Sequence, residues 1–236
     1  MPTFSTADNP IAKSDFFTRL FTFFYLPVFN FKLLLFPYTL SFDWGMDSIS
    51  LITSVFDFRN FLTALFYYVL HIVVKINYKE YENDKFGKRF RNSNLSNRLV
   101  SLFLINLTAL PFLPTSNLFF YVGFVVAERN LYIPSVGLCL FIGYGYHLIT
   151  QKVRTKLTNF LFTILVIVFG LRAMLRNNDW RNEENLYKSS VTINPPKAYG
   201  NLGSVLSDEG RLAEAEVAFR TALKYRYNMA DVHYNL

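Results

Sequence analysis

The sequence predicts an all-α chain built of two unlike parts, a multi-span helical membrane protein followed by the start of a helical repeat solenoid. Three observations carry this. The composition is 52% hydrophobic and 18% aromatic, too apolar for an ordinary soluble domain. Four apolar runs approach the ~20 residues that a bilayer-crossing helix needs. From Asp179 onward charges and amides take over instead, and apolar residues recur with the spacing of a packed helical hairpin. The modest mean hydropathy of +0.21 is the average of the two parts.

In chain order, MPTFSTADNPIAKSDFF has no apolar core before Phe16 and does not resemble a signal peptide. The apolar region 16–40 contains Arg19, Lys32, Pro27 and Pro37. Two prolines and two bases predict broken helices lying at the membrane surface, so residues 1–57 read as an interfacial region on the non-cytosolic side. A membrane domain follows over 58–175, with spans at 58–76, 99–113, 131–149 and 157–175. The second span is short and carries Pro111, and Arg172 can snorkel from the end of the fourth. Residues 176–195 form a junction, and Pro195-Pro196 marks the entry to a new element.

Charge orients the spans. The chain has 24 Lys and Arg against 17 acids, a net charge of +7. The excess base does not point to nucleic acid, because it collects in two loops. One holds Lys75, Lys79, Lys85, Lys88, Arg89, Arg91 and Arg98, the other Lys152, Arg154 and Lys156, whereas the intervening loop 114–130 has only Arg129. Both basic loops are therefore expected in the cytosol, with the amino-terminal region, Glu128-Arg129 and everything after Arg176 on the opposite side. The sequon Asn94-Leu95-Ser96 then faces the cytosol and is expected to stay unmodified. A single cysteine, Cys139, lies inside an apolar run, which leaves no disulfide framework and no thiol metal site, and no metal is expected.

The tail repays a search for period. With Pro196 as the first position of a unit of about 34 residues, Tyr199, Leu202, Gly203, Leu206, Ala215, Phe219 and Ala222 match the tetratricopeptide pattern. The small residues let two antiparallel helices approach, and the others form their seam. The unit runs over 196–229. A second begins at Ala230, with His233 and Leu236 in register, and is cut short at residue 236. Where a proline ordinarily ends the second helix this chain has Tyr227. Such repeats bury their cores by stacking, so one repeat alone is expected to be unstable and the chain to be a fragment.

Four separated blocks, ADNPIAK, FDWGMDSI, FLPTSNLFFYVGFVVAERNLYIPSVG and DWRNEENLYKSSVTINPPKAYGNLGSVL, together with spans that lead directly into the repeat, resemble the transmembrane and tetratricopeptide-repeat (TMTC) family of O-mannosyltransferases. The resemblance implies a multi-span endoplasmic reticulum protein of the GT-C type, of which this chain is the carboxyl-terminal part, with repeats in the lumen. It implies transfer of mannose from dolichyl phosphate mannose, the donor substrate, to Ser or Thr of secretory-pathway proteins such as cadherins, with no bound cofactor. It also implies an acidic residue in the first luminal loop, for which this chain has no counterpart, and on that ground the fragment itself is expected to be inactive. The alternatives are a non-enzymatic endoplasmic reticulum scaffold that recruits protein partners through its repeats, and a transporter. A transporter predicts paired hydropathy halves, which the chain lacks.

Transfer from a lipid phosphate needs a carboxylate to take the acceptor proton and a cation to hold the phosphate. Glu128 is a candidate for the first role and Arg129 for the second, with Glu128 orienting Arg129 as a variant. The competing reading is a structural ion pair that anchors the third span. Asp43 and Trp44, with Asp47, can bind a sugar by stacking and hydroxyl acceptance, or Asp43 can cap a helix beginning near Trp44. Asp8-Asn9-Pro10 reads as turn chemistry. His71 and His147 read as packed or interfacial, His233 as a repeat position, Trp180 as junction packing, and Asp179 as a helix cap.

Overall fold

In this computed structural model the described residues are 9–46, 48–85, 92–117, 122–153 and 156–236. Their regular elements are all helical. They comprise α1 (Phe16–Leu35), α2 (Phe58–Lys85), α3 (Asn92–Ala109), α4 (Tyr132–Lys152), α5 (Lys156–Asp179), α6 (Glu183–Ser190), α7 (Pro195–Asp208), α8 (Leu212–Tyr225) and α9 (Ala230–Asn235). Short 3-10 turns lie at Pro10–Lys13, Leu110–Thr115 and Glu128–Leu131.

Four segments are long and apolar enough to cross a membrane: Phe58–Ile76, Asn97–Thr115, Glu128–Lys152 and Lys156–Asp179. Their outer faces are apolar, as solvation by lipid requires; on α5, for instance, Leu161, Val166, Ile167 and Val168 are exposed. α3 and α4 pack closest. Gly137 of α4 lies directly against the backbone of Leu107 and Thr108 on α3, where a Cβ would come within 2.6 Å of Thr108 Oγ1. The Tyr144 hydroxyl of α4 donates to Asn97 of α3 at 2.8 Å. α5 joins α4 through stacked rings of Tyr146 and Phe162, 4.1 Å apart.

Where the composition of residues 16–40 predicts broken helices, α1 runs unbroken through Pro27. Asp15 caps it by accepting from the Thr18 N–H at 3.1 Å. A proline inside a helix costs about 3 kcal/mol, and tertiary packing outweighs that. Thr18, Thr22, Leu26, Asn30 and Leu33 form a buried stripe. Thr22 Oγ1 accepts from the Ile52 N–H at 3.0 Å, and Phe29 meets Trp44 edge-on at 5.0 Å. Lys32 remains exposed on the opposite face.

The core of this half joins Ile11, Phe23, Leu26, Leu33, Trp44, Ile49, Val125, Val126 and Leu131, with Ile193 packed against it. An apolar cavity of about 360 Å³ lies beside it, walled by α1, α2, α3 and α4 and lined by Phe31, Phe66, Leu70, Thr108, Leu131 and Pro134 among others.

α6 to α9 form the second core. Asn182 caps α6 by accepting from the Asn185 N–H at 2.8 Å. Asp179, read from sequence as that cap, is instead the last residue of α5 and pairs with Arg176 at 3.2 Å. α7 opens on Pro195-Pro196, whose missing N–H groups are no loss in a first turn. It closes on Gly210 at φ +76°, with the Arg211 N–H donating to Leu206 O and the Gly210 N–H to Ser207 O. That left-handed stop turns the chain into α8. Gly203 admits the Phe219 ring, which a Cβ would meet at 2.6 Å. Leu202, Leu206, Ala215, Phe219 and Ala222 are buried between the helices and Tyr199 packs against them. α8 ends at Tyr225, and Val232 of α9 covers Gly200.

Candidate functional site

Glu128 and Arg129 open the 3-10 turn that leads into α4. Successive residues of such a turn point about 120° apart, since three make one revolution. The two side chains accordingly diverge. Glu128 turns inward, where Oε1 accepts from the Ser41 N–H at 2.6 Å and from the Trp44 indole N–H at 2.9 Å. Its Oε2 lies 3.7 Å from Arg176 Nη2. Arg129 turns outward, is exposed, and lays its guanidinium 5.7 Å from the Phe124 ring. The ion pair that Glu128 makes is with a residue near the end of α5, not with its neighbour.

Arg176 is buried and tied on several sides. Its Nη1 donates to Asp179 at 3.2 Å and to Ser189 Oγ at 3.3 Å, and its guanidinium stands 5.6 Å from the Trp180 ring. Nη2 has no hydrogen-bond partner, so the Glu128 carboxylate supplies its compensating charge. One helical turn earlier Arg172 donates to the carbonyls of Pro37 at 2.6 Å and Tyr38 at 2.9 Å. Arg172 thus binds the segment after α1 directly to the end of α5, and Arg176 reaches it only through Glu128, which holds Ser41 and Trp44. Chemically, Glu128 is an anchor whose Oε1 is already engaged by two donors, and Arg129 is the cation left facing outward.

No helix begins at Trp44, so Asp43 is not a helix cap. Its Oδ1 accepts from the Gly45 N–H at 2.6 Å, closing a local turn, and its Oδ2 pairs with Lys197 of α7 at 2.7 Å. Trp44 is 4% exposed, with its indole N–H on Glu128 and its ring against Phe29, so it offers no ring face for a sugar to stack on. Asp57 is the acid that caps the following helix, and the sequence reading passed over it. It accepts from the Arg59 N–H at 2.9 Å and grips the Arg59 guanidinium at 2.6 Å, which holds its carboxyl down at about 2. An aspartate directly before an apolar run was the available signal.

Asn9 is 1% exposed and donates to Asn117 Oδ1 and Val122 O, each at 3.1 Å. Asn117 holds a left-handed φ of 60° and donates to Phe124 O at 3.0 Å. The Asn9-Pro10 stretch is therefore a structural tie to the segment before Glu128. Asp8, Asp47, Lys88, Arg89, Arg91 and Arg154 lie outside the described residues, as do the side chains of Lys79, Lys85 and Asn94. His71 and His147 are exposed on α2 and α4, and His233 meets the Tyr227 ring edge-on at 5.0 Å. Lys197, Arg172 and Arg176, which complete the site, were not singled out for it from sequence.

The family model described as Protein O-mannosyl-transferase TMTC, DUF1736 matches residues 1–71. The chain is 41% identical to human "Protein O-mannosyl-transferase TMTC2" over 99% of its own length and 34% of that protein. It is 40% identical to Drosophila melanogaster "Protein O-mannosyl-transferase Tmtc1" over 99% of the chain and 33% of that protein. Against human "Protein O-mannosyl-transferase TMTC3" the identity is 36%, over all of the chain and 25% of the relative. The chain thus spans about a third or less of the length of these relatives. No solved structure matches it.

Proposed function

From the premise that the chain belongs to the TMTC family, whose relatives above are named protein O-mannosyl-transferases, we propose that it is the part of such a transferase that joins the membrane helices to the luminal repeats. In this reading the fold is GT-C-like, α7 and α8 are a tetratricopeptide repeat, and α9 begins the next. The donor is dolichyl phosphate mannose and the acceptors are Ser or Thr of secretory-pathway proteins, cadherins among them. The location is the endoplasmic reticulum membrane.

The observation that carries the donor assignment is the place of Arg129. The turn that exposes its guanidinium continues into Leu131, which lines the apolar cavity between the spans. A planar, permanently charged fork two residues along the chain from a cavity-lining position suits a lipid that ends in phosphate. Lysine keeps the charge but loses the two-pronged geometry. With these residues grafted in place of the matching third of human TMTC2, Arg129→Lys should lower mannose transfer to a cadherin-domain acceptor by ~100 to 1,000-fold, the effect of removing one transition-state donor. Protein abundance should not change. Transfer at the unsubstituted rate would reject Arg129 as a phosphate ligand, whereas no transfer by the unsubstituted chimera would favour the non-enzymatic scaffold.

The orientation has support at the other end of the helices. Lys75, Arg98, Lys152 and Lys156 lie at the end of the spans away from Glu128, where the positive-inside rule puts the cytosol. Ala230→Thr completes an acceptor sequon on exposed Asn228, which should receive a glycan in microsomes while Asn94 stays bare. Modification of Asn94 would invert the topology.

A further inference from the structure

We infer that Phe42-Asp43-Trp44 is a strap that clamps α6 and α7 onto the membrane-side helices, so that the repeat helices and the spans move as one body. Each of the three residues reaches a different element. The Phe42 N–H donates to Ser190 Oγ at 3.3 Å, and the Phe42 ring meets Tyr187 of α6 edge-on at 5.0 Å. Asp43 pairs with Lys197 of α7 at 2.7 Å, and its carbonyl accepts from Asn194 Nδ2 at 3.4 Å. Trp44 faces the other way, onto Glu128 at the head of α4 and Phe29 of α1.

The direct covalent link between the two halves is slight. Only Trp180–Asn182 separate α5 from α6, in a turn whose side chains are largely exposed. A connection of that kind is a swivel unless something closes a second path. The strap does so, and Arg176 adds a bond from α5 to Ser189 of α6. Burial agrees with a permanent joint. Ser190 is 0% and Asn194 1% exposed, and the Ser190 hydroxyl and the Asn194 Nδ2 have partners at that depth, although Asn194 Oδ1 has none. The partners across the joint are Phe42, Asp43 and Gly45, and Ser190 Oγ also donates to Leu186 O at 3.5 Å within α6. A partner bound on α7 and α8 would consequently keep a fixed register over the membrane face that bears Arg129. The inference stands on these contacts alone and does not depend on the transferase reading.

A water-soluble carbodiimide tests it on the unsubstituted chain in microsomes. The reagent activates a carboxylate, an adjacent amine displaces it as urea, and an amide forms only between groups already in contact. Mass spectrometry should find the Asp43–Lys197 cross-linked peptide, and Asp43→Asn should abolish it. Modification of each residue singly with no cross-link would overturn the strap. A second measurement uses trypsin cleavage at Arg181 in the connector, which requires local opening. Lys197→Asp should accelerate that cleavage about tenfold, equivalent to the loss of one charge-assisted hydrogen bond, and Lys197→Arg should leave it near the unsubstituted rate. Equal cleavage in all three proteins would show that the two halves already swing freely.

Discussion

Gly137→Ala should destabilise the membrane half by about 1–3 kcal/mol, the cost of forcing one extra carbon into a packed interface. The new Cβ would lie 2.6 Å from Thr108 Oγ1, 2.7 Å from Thr108 N and 2.9 Å from Leu107 C. Two of those three atoms are backbone, so no rotamer change relieves the contact and α3 itself must move away. Between spans there is no hydrophobic drive to bring the helices back, because lipid solvates them as well as they solvate each other. Close packing is what holds α3 to α4, and the same wall bounds the apolar cavity. Gly143 and Gly145 of α4 provide the control, since a Cβ on either meets nothing within 4 Å. Gly145→Ala should be neutral or stabilising by up to ~1 kcal/mol through helix propensity. Thermal unfolding in one detergent compares them directly. If Gly137→Ala melts with Gly145→Ala, the close approach does not hold the helices together.

Glu128→Ala should cost about 3–5 kcal/mol, the range for breaking a largely buried ion pair from one side. It strands two donors, the Ser41 N–H and the Trp44 indole N–H, and removes one of the two carboxylates that face Arg176. Glu128→Gln keeps an oxygen for Ser41 and Trp44 but turns an amide toward the arginine, so its loss should be intermediate. Trp44 reports the event. It is 4% exposed whereas Trp180 is 58% exposed, and in a Trp180→Phe background the fluorescence belongs to Trp44 alone. Its emission should shift to the red in Glu128→Ala, less so in Glu128→Gln, and not in Arg129→Lys, whose side chain points away. Blue emission and unchanged stability in Glu128→Ala would mean that the carboxylate does not hold the Ser41–Trp44 turn. The adjacent acid and base therefore have separable effects, one on folding and one on the proposed transfer.

The candidate spans and the seam between α7 and α8 were legible because their information is local. Whether residues 58–76 or 157–175 can cross a membrane depends on their own composition, and the four segments lie where the apolar runs predict. The seam from Tyr199 to Ala222 was readable for a related reason. Helical spacing alone aligns those residues, and the chain returns after a turn closed by Gly210. The charged residues are another matter. Glu128 next to Arg129 suggests a pair, yet the partners of Glu128 are 84 and 87 residues earlier, together with Arg176 beyond two spans. Asp43 finds Lys197 at a separation of 154 residues. A charge is satisfied by whatever the fold brings within a few ångströms, and adjacency along a 3-10 turn sends side chains apart.

Pro27 makes the same point about the backbone. Its local preference argues for a break, and the stripe from Thr18 to Leu33 buried against Ile52 and Trp44 keeps α1 whole. Composition and period thus suffice for the four helices long and apolar enough to cross a membrane and for the hairpin of α7 and α8, since each follows from short-range hydrophobic and steric preference. The roles of Glu128, Asp43, Trp44 and Arg176 arise from long-range packing, where burying a polar group requires a partner and the folded chain determines which one is in reach.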